Sequence, residues 1–316
     1  MKLLITTAWL LSLQLASGNE FVDQFKALKK AGDDAAIIQF LEKAATEEAD
    51  NPEYYANAGN YWWGAGGAVA VTQLKAGDYK LDPQSFAIVD PKTGKQVGAI
   101  GKAGDLDPTL PKKAIEVLSQ GAEKFPGRAD IALGLAHIQK KLDLKEGYVK
   151  TLTALLAQAK MEPDSLEWTL GGKLPSAPET FLPETVQGYS SALFNANTPA
   201  TDKLCVQLLD SVIDTYPEHP FAYNLKGALA DATGKPEQAL KMLTLAHEKA
   251  PKDSLILANV ARAHVKLGQK DKAIATFEKA LALEMSPRSR AQAEAELKKL
   301  KTAGEKSAPD EGAKDK

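Results

Sequence analysis

Four histidines and one cysteine are the side chains of this 316-residue chain that could bind a transition metal or act as a strong nucleophile. None of the histidines stands in an H-E-x-x-H spacing, and a single cysteine cannot build a zinc site from several thiolates. The pattern therefore predicts no metal site and favours packed or surface positions for the histidines. The residues concerned are His137, His219, His247, His264 and Cys205.

Two glycine-containing segments do not match phosphate-binding loops. Gly64-Ala65-Gly66-Gly67 lacks the final glycine of a dinucleotide loop, and a helical pattern precedes it where a strand is needed. Gly101-Lys102 is followed by Ala103, where a phosphate-binding loop needs serine or threonine. Because no catalytic constellation emerges, the sequence predicts a protein that is not an enzyme and has no cofactor. An enzyme with dispersed catalytic residues is the alternative.

The composition is that of an ordinary globular protein, with 44% hydrophobic and 25% charged residues. The formal net charge of −2 provides no bulk attraction for nucleic acid, so no nucleic-acid partner is predicted. One cysteine excludes internal disulfides, so packing must supply the stability. Cys205 is interpreted as a small core side chain, with a reactive thiol as the alternative.

The first 18 residues have the features of a signal peptide. Lys2 precedes an apolar stretch from Leu3 to Leu15, and the small residues Ala16 and Gly18 stand where a signal peptidase cuts. This stretch of 13 residues, which includes Thr6, Thr7, Ser12 and Gln14, is too short for a hydrocarbon core of about 30 Å, and no apolar run after residue 18 is long enough to span one. The sequence thus predicts an exported protein, periplasmic or secreted, without a transmembrane segment in the mature chain.

Small side chains recur at a spacing of 34 residues in the C-terminal half. Gly234 and Gly268 are separated by this interval, and so are Cys205, Ala239 and Ala273. Each unit shows apolar positions at helical spacing on two successive segments, which predicts a pair of amphipathic helices with small residues where they cross. One pair leaves an apolar side open, so neighbouring pairs must stack to cover it.

This pattern resembles the tetratricopeptide repeat family, in an exported bacterial-type member. The residues that carry the resemblance are an aromatic and small residues on the first helix, then Ala-x-x-x-Leu, Ala and Pro on the second: Tyr223, Gly227, Ala230, Ala239, Leu243, Ala246 and Pro251. The resemblance implies an all-α fold, a right-handed helical-repeat solenoid, to which the sequence adds a small β-hairpin insertion.

The repeat register divides the chain into predicted segments. In the copy that opens at Pro52 the second helix is displaced by an insertion, and the segment around Ala114 supplies it. The segments are a signal peptide at 1–18, N-terminal repeats at 19–162 with the insertion at 64–110, a proline-rich irregular linker at 163–185, three repeats at 186–287, a capping helix at 288–302 and a disordered tail at 303–316.

The insertion is predicted to contain two short strands, 85–89 and 96–100, joined by a turn-rich segment. A two-stranded hairpin is marginally stable alone in water, so it must pack on the repeats or on a partner. Insertions in repeat proteins often lie on a binding face. A recognition surface and a loop without a role are the two interpretations.

Members of the family generally bind a protein or peptide in a concave groove lined by first helices. The positions that the resemblance assigns to such a groove are Asn60, Trp63, His137, Lys140, Ser190, Phe194, Asn224, Asp231, Arg262 and Lys266. The lysine and asparagine clamp of chaperone-type members for a C-terminal carboxylate is absent, but Arg262 and Lys266 could meet an acidic segment.

The sequence therefore predicts an exported, non-enzymatic adaptor that binds a protein or peptide in this groove. Trp63 supports an alternative, because its ring could stack on a proline or a sugar. It could equally anchor the insertion, which begins at the next residue. The alternative function is that of an envelope protein that binds a carbohydrate or small ligand.

Overall fold

The computed structural model describes residues 20–65, 69–73, 86–89, 96–102 and 109–305. The chain divides into two compact units, which we call unit 1 (Met1–Leu174) and unit 2 (Pro175–Lys316). The predicted signal peptide lies outside the described residues, as does 306–316 of the predicted tail. Within the described part, no helix is long and apolar enough to cross a lipid bilayer.

The described residues of unit 1 form three consecutive pairs of helices. The helices are α1 (20–31), α2 (Asp34–Glu47), α3 (Pro52–Ala65), α4 (Thr109–Lys124), α5 (Ala129–Lys141) and α6 (Lys145–Met161). Short 3₁₀ turns follow at Pro163–Ser165 and Thr169–Gly171. A core of large side chains joins the first two pairs, among them Phe21, Leu41, Tyr55, Trp62 and Leu118.

The displaced second helix pairs with α3 across the insertion. Ala114 of α4 is fully buried, and a Cβ atom on Gly59 of α3 would overlap the side chain of Leu118. A Cβ atom on Gly121 of α4 would in turn lie 2.5 Å from Cβ of Tyr55. The close approach of α3 and α4 is the pairing that the repeat register predicts.

A three-stranded antiparallel sheet lies between α3 and α4. Its strands are β1 (Val69–Gln73), β2 (Phe86–Val89) and β3 (Gln96–Lys102), in the order β1-β3-β2. Val69 pairs with Lys102 and Phe86 pairs with Ile100. The sequence predicts two strands, and the additional strand β1 hydrogen-bonds the edge of β3 that a hairpin leaves open, which satisfies backbone groups there.

The described residues of unit 2 form further helix pairs and a last helix. Its helices are α7 (Pro178–Ala196), α8 (Pro199–Thr215), α9 (Pro220–Ala232), α10 (Pro236–Lys249), α11 (Ser254–Lys266), α12 (Lys270–Leu281) and α13 (Pro287–Glu305). Cys205, Ala239 and Ala273 are all completely buried, which confirms the 34-residue register. Gly234 and Gly268 have φ of +74° and +69° at the turns between paired helices, a conformation that glycine adopts without strain.

Two helix boundaries differ from those predicted. Helix α7 begins at Pro178, inside the segment predicted as a linker at 163–185, and helix α13 continues to Glu305, beyond the predicted end at 302. Proline is well tolerated in the first turn of a helix, where its missing N–H would have no partner, so Pro178 starts α7 instead of preventing it. Residues 162–177 form short 3₁₀ turns, isolated β-bridges and bends.

Candidate functional site

Polar side chains connect the first helices of consecutive pairs in unit 2. Asn259 Nδ2 on α11 donates a hydrogen bond to Asn224 Oδ1 on α9 at 2.9 Å, and Arg262 Nη1 donates to Asn259 Oδ1 at 2.8 Å. Arg262 Nε then donates to Glu296 Oε1 on α13 at 3.0 Å. We call Asn224, Asn259, Arg262 and Glu296 the polar ladder.

The ladder repeats because the helices repeat. Asn224 and Asn259 are 35 residues apart, and Arg262 and Glu296 are 34 apart, so each bond joins nearly equivalent positions of successive first helices. All four side chains are half-buried. The ladder therefore holds its donors and acceptors in place before any partner arrives, which lowers the entropic cost of binding.

Helix α11 presents the centre of the ladder because its N-terminal end and its opposite face are fixed. The N-cap Asp253 accepts hydrogen bonds from the backbone N–H of Leu255 at 2.8 Å and of Ile256 at 3.0 Å. Ala258 and Ala261 are buried against Phe277 of α12. The remaining face, at i and i+3 spacing, carries Asn259 and Arg262.

A second charged pair connects α9 and α11. Lys266 Nζ lies 3.8 Å from Asp231 Oδ1, and that oxygen is buried without a hydrogen-bond partner. The sequence predicts that Arg262 and Lys266 could meet an acidic segment. In the structure Arg262 is paired with Glu296 and Lys266 has Asp231 as its acidic neighbour, and contact with an acidic segment stays a prediction.

Of the other residues assigned to a groove in unit 2, one is partly accessible and one is not. Phe194 on α7 is half-buried. Ser190 is completely buried, and its backbone carbonyl accepts a hydrogen bond from Cys205 Sγ at 3.5 Å. Ser190 therefore belongs to the core between α7 and α8, not to a binding surface.

In unit 1 the assigned residues lie on two first helices. Asn60 on α3 is exposed, as are His137 and Lys140 on α5. Partial burial lowers the pKa of His137, and the positive charges of Lys141 and Lys140 lower it further. Trp63 is half-buried and packs against the hydrophobic core of unit 1, and stacking of its ring on a proline or a sugar stays a prediction.

Cys205 is a core residue, as predicted. Burial and the nearby Asp202 carboxylate raise the pKa of the thiol to about 12. A reactive cysteine needs an accessible thiolate, and Cys205 has neither the accessibility nor the charge. Among the described residues there is also no group of three or more His, Cys, Asp and Glu side chains placed to hold a metal ion.

Sequence reasoning missed a buried ionic network in unit 1. Arg128 Nη2 lies 2.9 Å from Glu53 Oε1 and 2.8 Å from Asp130 Oδ2, and Arg128 and Glu53 are each only 3% exposed. Leu170 N donates to Glu53 Oε1 at 2.6 Å and Thr169 Oγ1 donates to Glu53 Oε2 at 3.2 Å. The network fixes the segment after α6 onto α3 and the start of α5. The sequence indicates this network only through Arg128 and Asp130, which are two residues apart and carry opposite charges.

Residues 230–302 match the tetratricopeptide repeat family. The match runs from the end of α9 to the last turn but one of α13, and it includes the buried Ala239 and Ala273 and the ladder residues Arg262 and Glu296. The tetratricopeptide prediction is confirmed for this segment. No curated protein matches the chain.

Solved structures of tetratricopeptide repeat proteins are similar to this chain at low identity. The protein TTC0263 of Thermus thermophilus is 14% identical, with 61% of this chain and 92% of that chain covered and a TM-score of 0.36. The tetratricopeptide domain of Sgt2 from Aspergillus fumigatus is 17% identical, with 42% and 87% covered and a TM-score of 0.35. YrrB, described as having an unusual peptide-binding site, is 12% identical, with 59% and 84% covered and a TM-score of 0.38.

Two residues of the polar ladder, Asn259 and Glu296, were not assigned to the groove from the sequence. Asn259 lies one residue away from the position that follows Asn224 by 34 residues. Glu296 belongs to α13, which the sequence predicts as a cap. The spacing of these residues could have predicted the two contacts. Glu296 follows Arg262 by 34 residues, and Asn259 follows Asn224 by 35 residues.

Proposed function

We propose that this protein is an exported, non-enzymatic tetratricopeptide-repeat scaffold that binds a protein or peptide partner through the first helices of unit 2. The family match over 230–302 supports the scaffold, because tetratricopeptide repeats are a protein-interaction fold. The polar ladder is the observation that carries the choice of surface. It is an ordered row of amide and charged groups on three successive first helices.

The chemistry of the ladder suits the main chain of a peptide. A primary amide offers two donors and one acceptor, which matches backbone C=O and N–H groups. Asn224 uses its Oδ1 within the ladder, and its Nδ2 has no partner among the described residues. Because Arg262 is already neutralised by Glu296, the surface suits backbone hydrogen bonding better than capture of a free carboxylate.

Affinity capture from an envelope extract tests the proposal with the mature protein as bait. We expect a specific protein to be captured, and Asn224→Ala/Asn259→Ala to weaken its binding by about 30-fold, since two net hydrogen bonds of about 1 kcal/mol each are lost. Gln207→Ala removes an exposed amide from a second helix, α8, and is the matched control. Equal binding by the double variant and by wild type would contradict the assignment, as would a bait that captures no protein.

Export rests on residues 1–18 and has its own test. We expect N-terminal sequencing of the native protein to begin at Asn19, and cell fractionation to place it outside the cytoplasm. A native chain that retains Met1 would contradict export and would leave the scaffold proposal standing.

A further inference from the structure

A cleft of about 600 Å³ lies among α8, α9 and α10 in unit 2. Its volume is in the range of about 300–1,000 Å³ found for ligand pockets. The second helices α8 and α10 supply Val206 and Met242, and α9, which packs against both of them, supplies Leu229 and Ala230. We call it the second-helix cleft. It contains no residue of the polar ladder.

Four lysines surround these apolar residues. Lys226 is paired with Asp210. Lys203, Lys235 and Lys241 are exposed and form no ion pair with any residue that the structure describes. Three unpaired cations around an apolar floor create a positive local potential, although the whole chain has a net charge of −2.

One acidic side chain also lines the cleft. Asp202 Oδ1 is buried and has no hydrogen-bond partner. A buried acceptor without a partner costs free energy, and an N–H or O–H of an occupant would relieve that cost. The cleft thus offers cations for carboxylates, an apolar floor for aliphatic side chains and one acceptor for a donor.

We propose that the second-helix cleft binds an acidic amphipathic helix of a partner protein. The aliphatic side chains of that helix contact Val206, Leu229 and Met242, and its carboxylates pair with Lys203, Lys235 and Lys241. A groove bordered by helices is the usual receptor of an amphipathic helix, and complementary charge fixes its orientation and raises its association rate.

The equivalent cleft in unit 1 lacks the excess of lysines that distinguishes the second-helix cleft. It lies among α4, α5 and α6, has a volume of about 400 Å³, and carries both Glu123 and Lys150 at its edge. Thr151 Oγ1 donates to Gln139 Oε1 at 3.0 Å across it, between α6 and α5. The positive and negative charges at its edge are balanced, and two of its polar groups are hydrogen-bonded to each other. A cleft at this position of the repeat therefore does not attract acidic peptides unless lysines are added to it.

Selection from a phage-displayed library of helical peptides tests the proposal on the mature protein. We expect the enriched sequences to place Glu or Asp beside a stripe of Leu, Ile or Met. The strongest peptide, labelled with fluorescein, is then titrated against each variant by fluorescence anisotropy. A selection that enriches no acidic amphipathic sequence overturns the proposal, whether neutral peptides or none are recovered.

The variants decide where the peptide binds. We expect Lys203→Glu/Lys241→Glu to weaken binding at least about 20-fold and the milder Lys241→Ala about three-fold, with affinity falling as salt rises. Lys252→Glu/Lys299→Glu makes the same charge change at exposed lysines outside the cleft and is expected to stay within about two-fold of wild type. Equal losses in both double variants would mean that net charge, and not the cleft, attracts the peptide.

Asn224→Ala/Asn259→Ala separates this inference from the proposed function. It leaves the acidic peptide bound with unchanged affinity if the cleft is a second surface. If it weakens the peptide and the cleft variants do not, the peptide binds at the ladder and the cleft proposal is wrong.

Discussion

Unit 1 and unit 2 use the same paired helices but different side chains to hold them together. In unit 2 the crossings carry Cys205, Ala239 and Ala273, each completely buried, at one fixed interval. In unit 1 Ala114 is buried in the same way, but the core around it contains large rings, with Tyr54 and Tyr55 in edge contact at 5.0 Å between centroids. Unit 1 also buries the Arg128 network.

The comparison shows what periodicity in a sequence measures. Small residues at a crossing specify how closely two backbones approach, and this requirement recurs in every repeat. An aromatic cluster or an ion network fills the space at one position of the fold and does not create a periodic pattern in the sequence. Unit 2 is therefore regular in sequence and structure, and unit 1 is held by interactions that its sequence does not repeat.

The largest effect is expected from breaking the buried network of unit 1. Arg128→Ala leaves the carboxylate of Glu53 buried without its cation, so we expect the free energy of unfolding of unit 1 to fall by about 3–5 kcal/mol. After residue 18 the tryptophans are Trp62, Trp63 and Trp168, all in unit 1, so their fluorescence during urea denaturation reports that unit alone.

The matched arginine in unit 2 gives the control. Arg262→Ala breaks an ion pair whose side chains are 31% and 36% exposed, and it should cost about 1 kcal/mol or less by far-UV circular dichroism. If the two arginines cost the same, the contrast between a buried network in unit 1 and a surface ladder in unit 2 fails.

The second effect tests the crossings of unit 2. Ala239→Leu places three additional carbon atoms where Ala239 is completely buried, and we expect the free energy of unfolding to fall by roughly 1–3 kcal/mol. Ala291→Leu makes the same change at an exposed position of α13 and should stay within about 0.5 kcal/mol. A neutral Ala239→Leu would show that the 34-residue register does not mark tight crossings.

A smaller effect is expected where unit 1 does follow the repeat pattern. Gly59→Ala forces its new methyl group into Leu118, and we expect a net loss of about 1–2 kcal/mol after allowing for the better helix propensity of alanine. Gly64 lies on the same helix, and a methyl group added there would have no neighbour within 4 Å among the described residues, so Gly64→Ala should be neutral or stabilising. Tryptophan fluorescence measures both, and equal responses would mean that α3 and α4 do not meet at Gly59.

The sequence predicted those parts of the fold that recur. The glycine turns at Gly234 and Gly268, the buried Cys205 and the displaced helix around Ala114 all follow from one interval applied along the chain. Strand β1 and the start of α7 at Pro178 were not predicted, because each depends on its local surroundings. Strand β1 pairs with an edge of β3 that a two-stranded hairpin would leave open. Pro178 begins a helix, although a proline-rich segment usually indicates irregular structure.

The sequence predicted the helices that carry the candidate site but not the pairing of its side chains. The resemblance assigned Asn224 and Arg262 to first helices, and they lie on α9 and α11, but their partners, Asn259 and Glu296, decide which polar groups are already hydrogen-bonded. The sequence pattern presents Arg262 as a free cation, whereas in the structure it is paired with Glu296, which lies one repeat further along the chain. Side-chain pairing between repeats depends on how the helices stack, and a pattern within one repeat does not contain that information.

The last effect is absent at neutral pH and concerns the ionisable side chain among the small residues at the crossings of unit 2. Because the folded-state pKa of Cys205 is raised to about 12, the native state keeps the thiol proton more firmly than the unfolded chain does. The stability that this contributes is complete below the unfolded value of about pH 8.5 and is lost progressively as the pH rises toward about 12, by up to about 1.4 kcal/mol per pH unit.

Cys205→Ala isolates this contribution from that of Tyr216, whose pKa burial also raises to about 12. We expect urea denaturation followed by far-UV circular dichroism to give a shallower loss of stability between about pH 9 and pH 10.5 in the variant than in wild type, a range chosen to lie between the unfolded and folded pKa values of the thiol. Identical slopes would mean that Cys205 ionises in the folded protein without resistance. The crossing would then be open to water, contrary to the complete burial of Cys205.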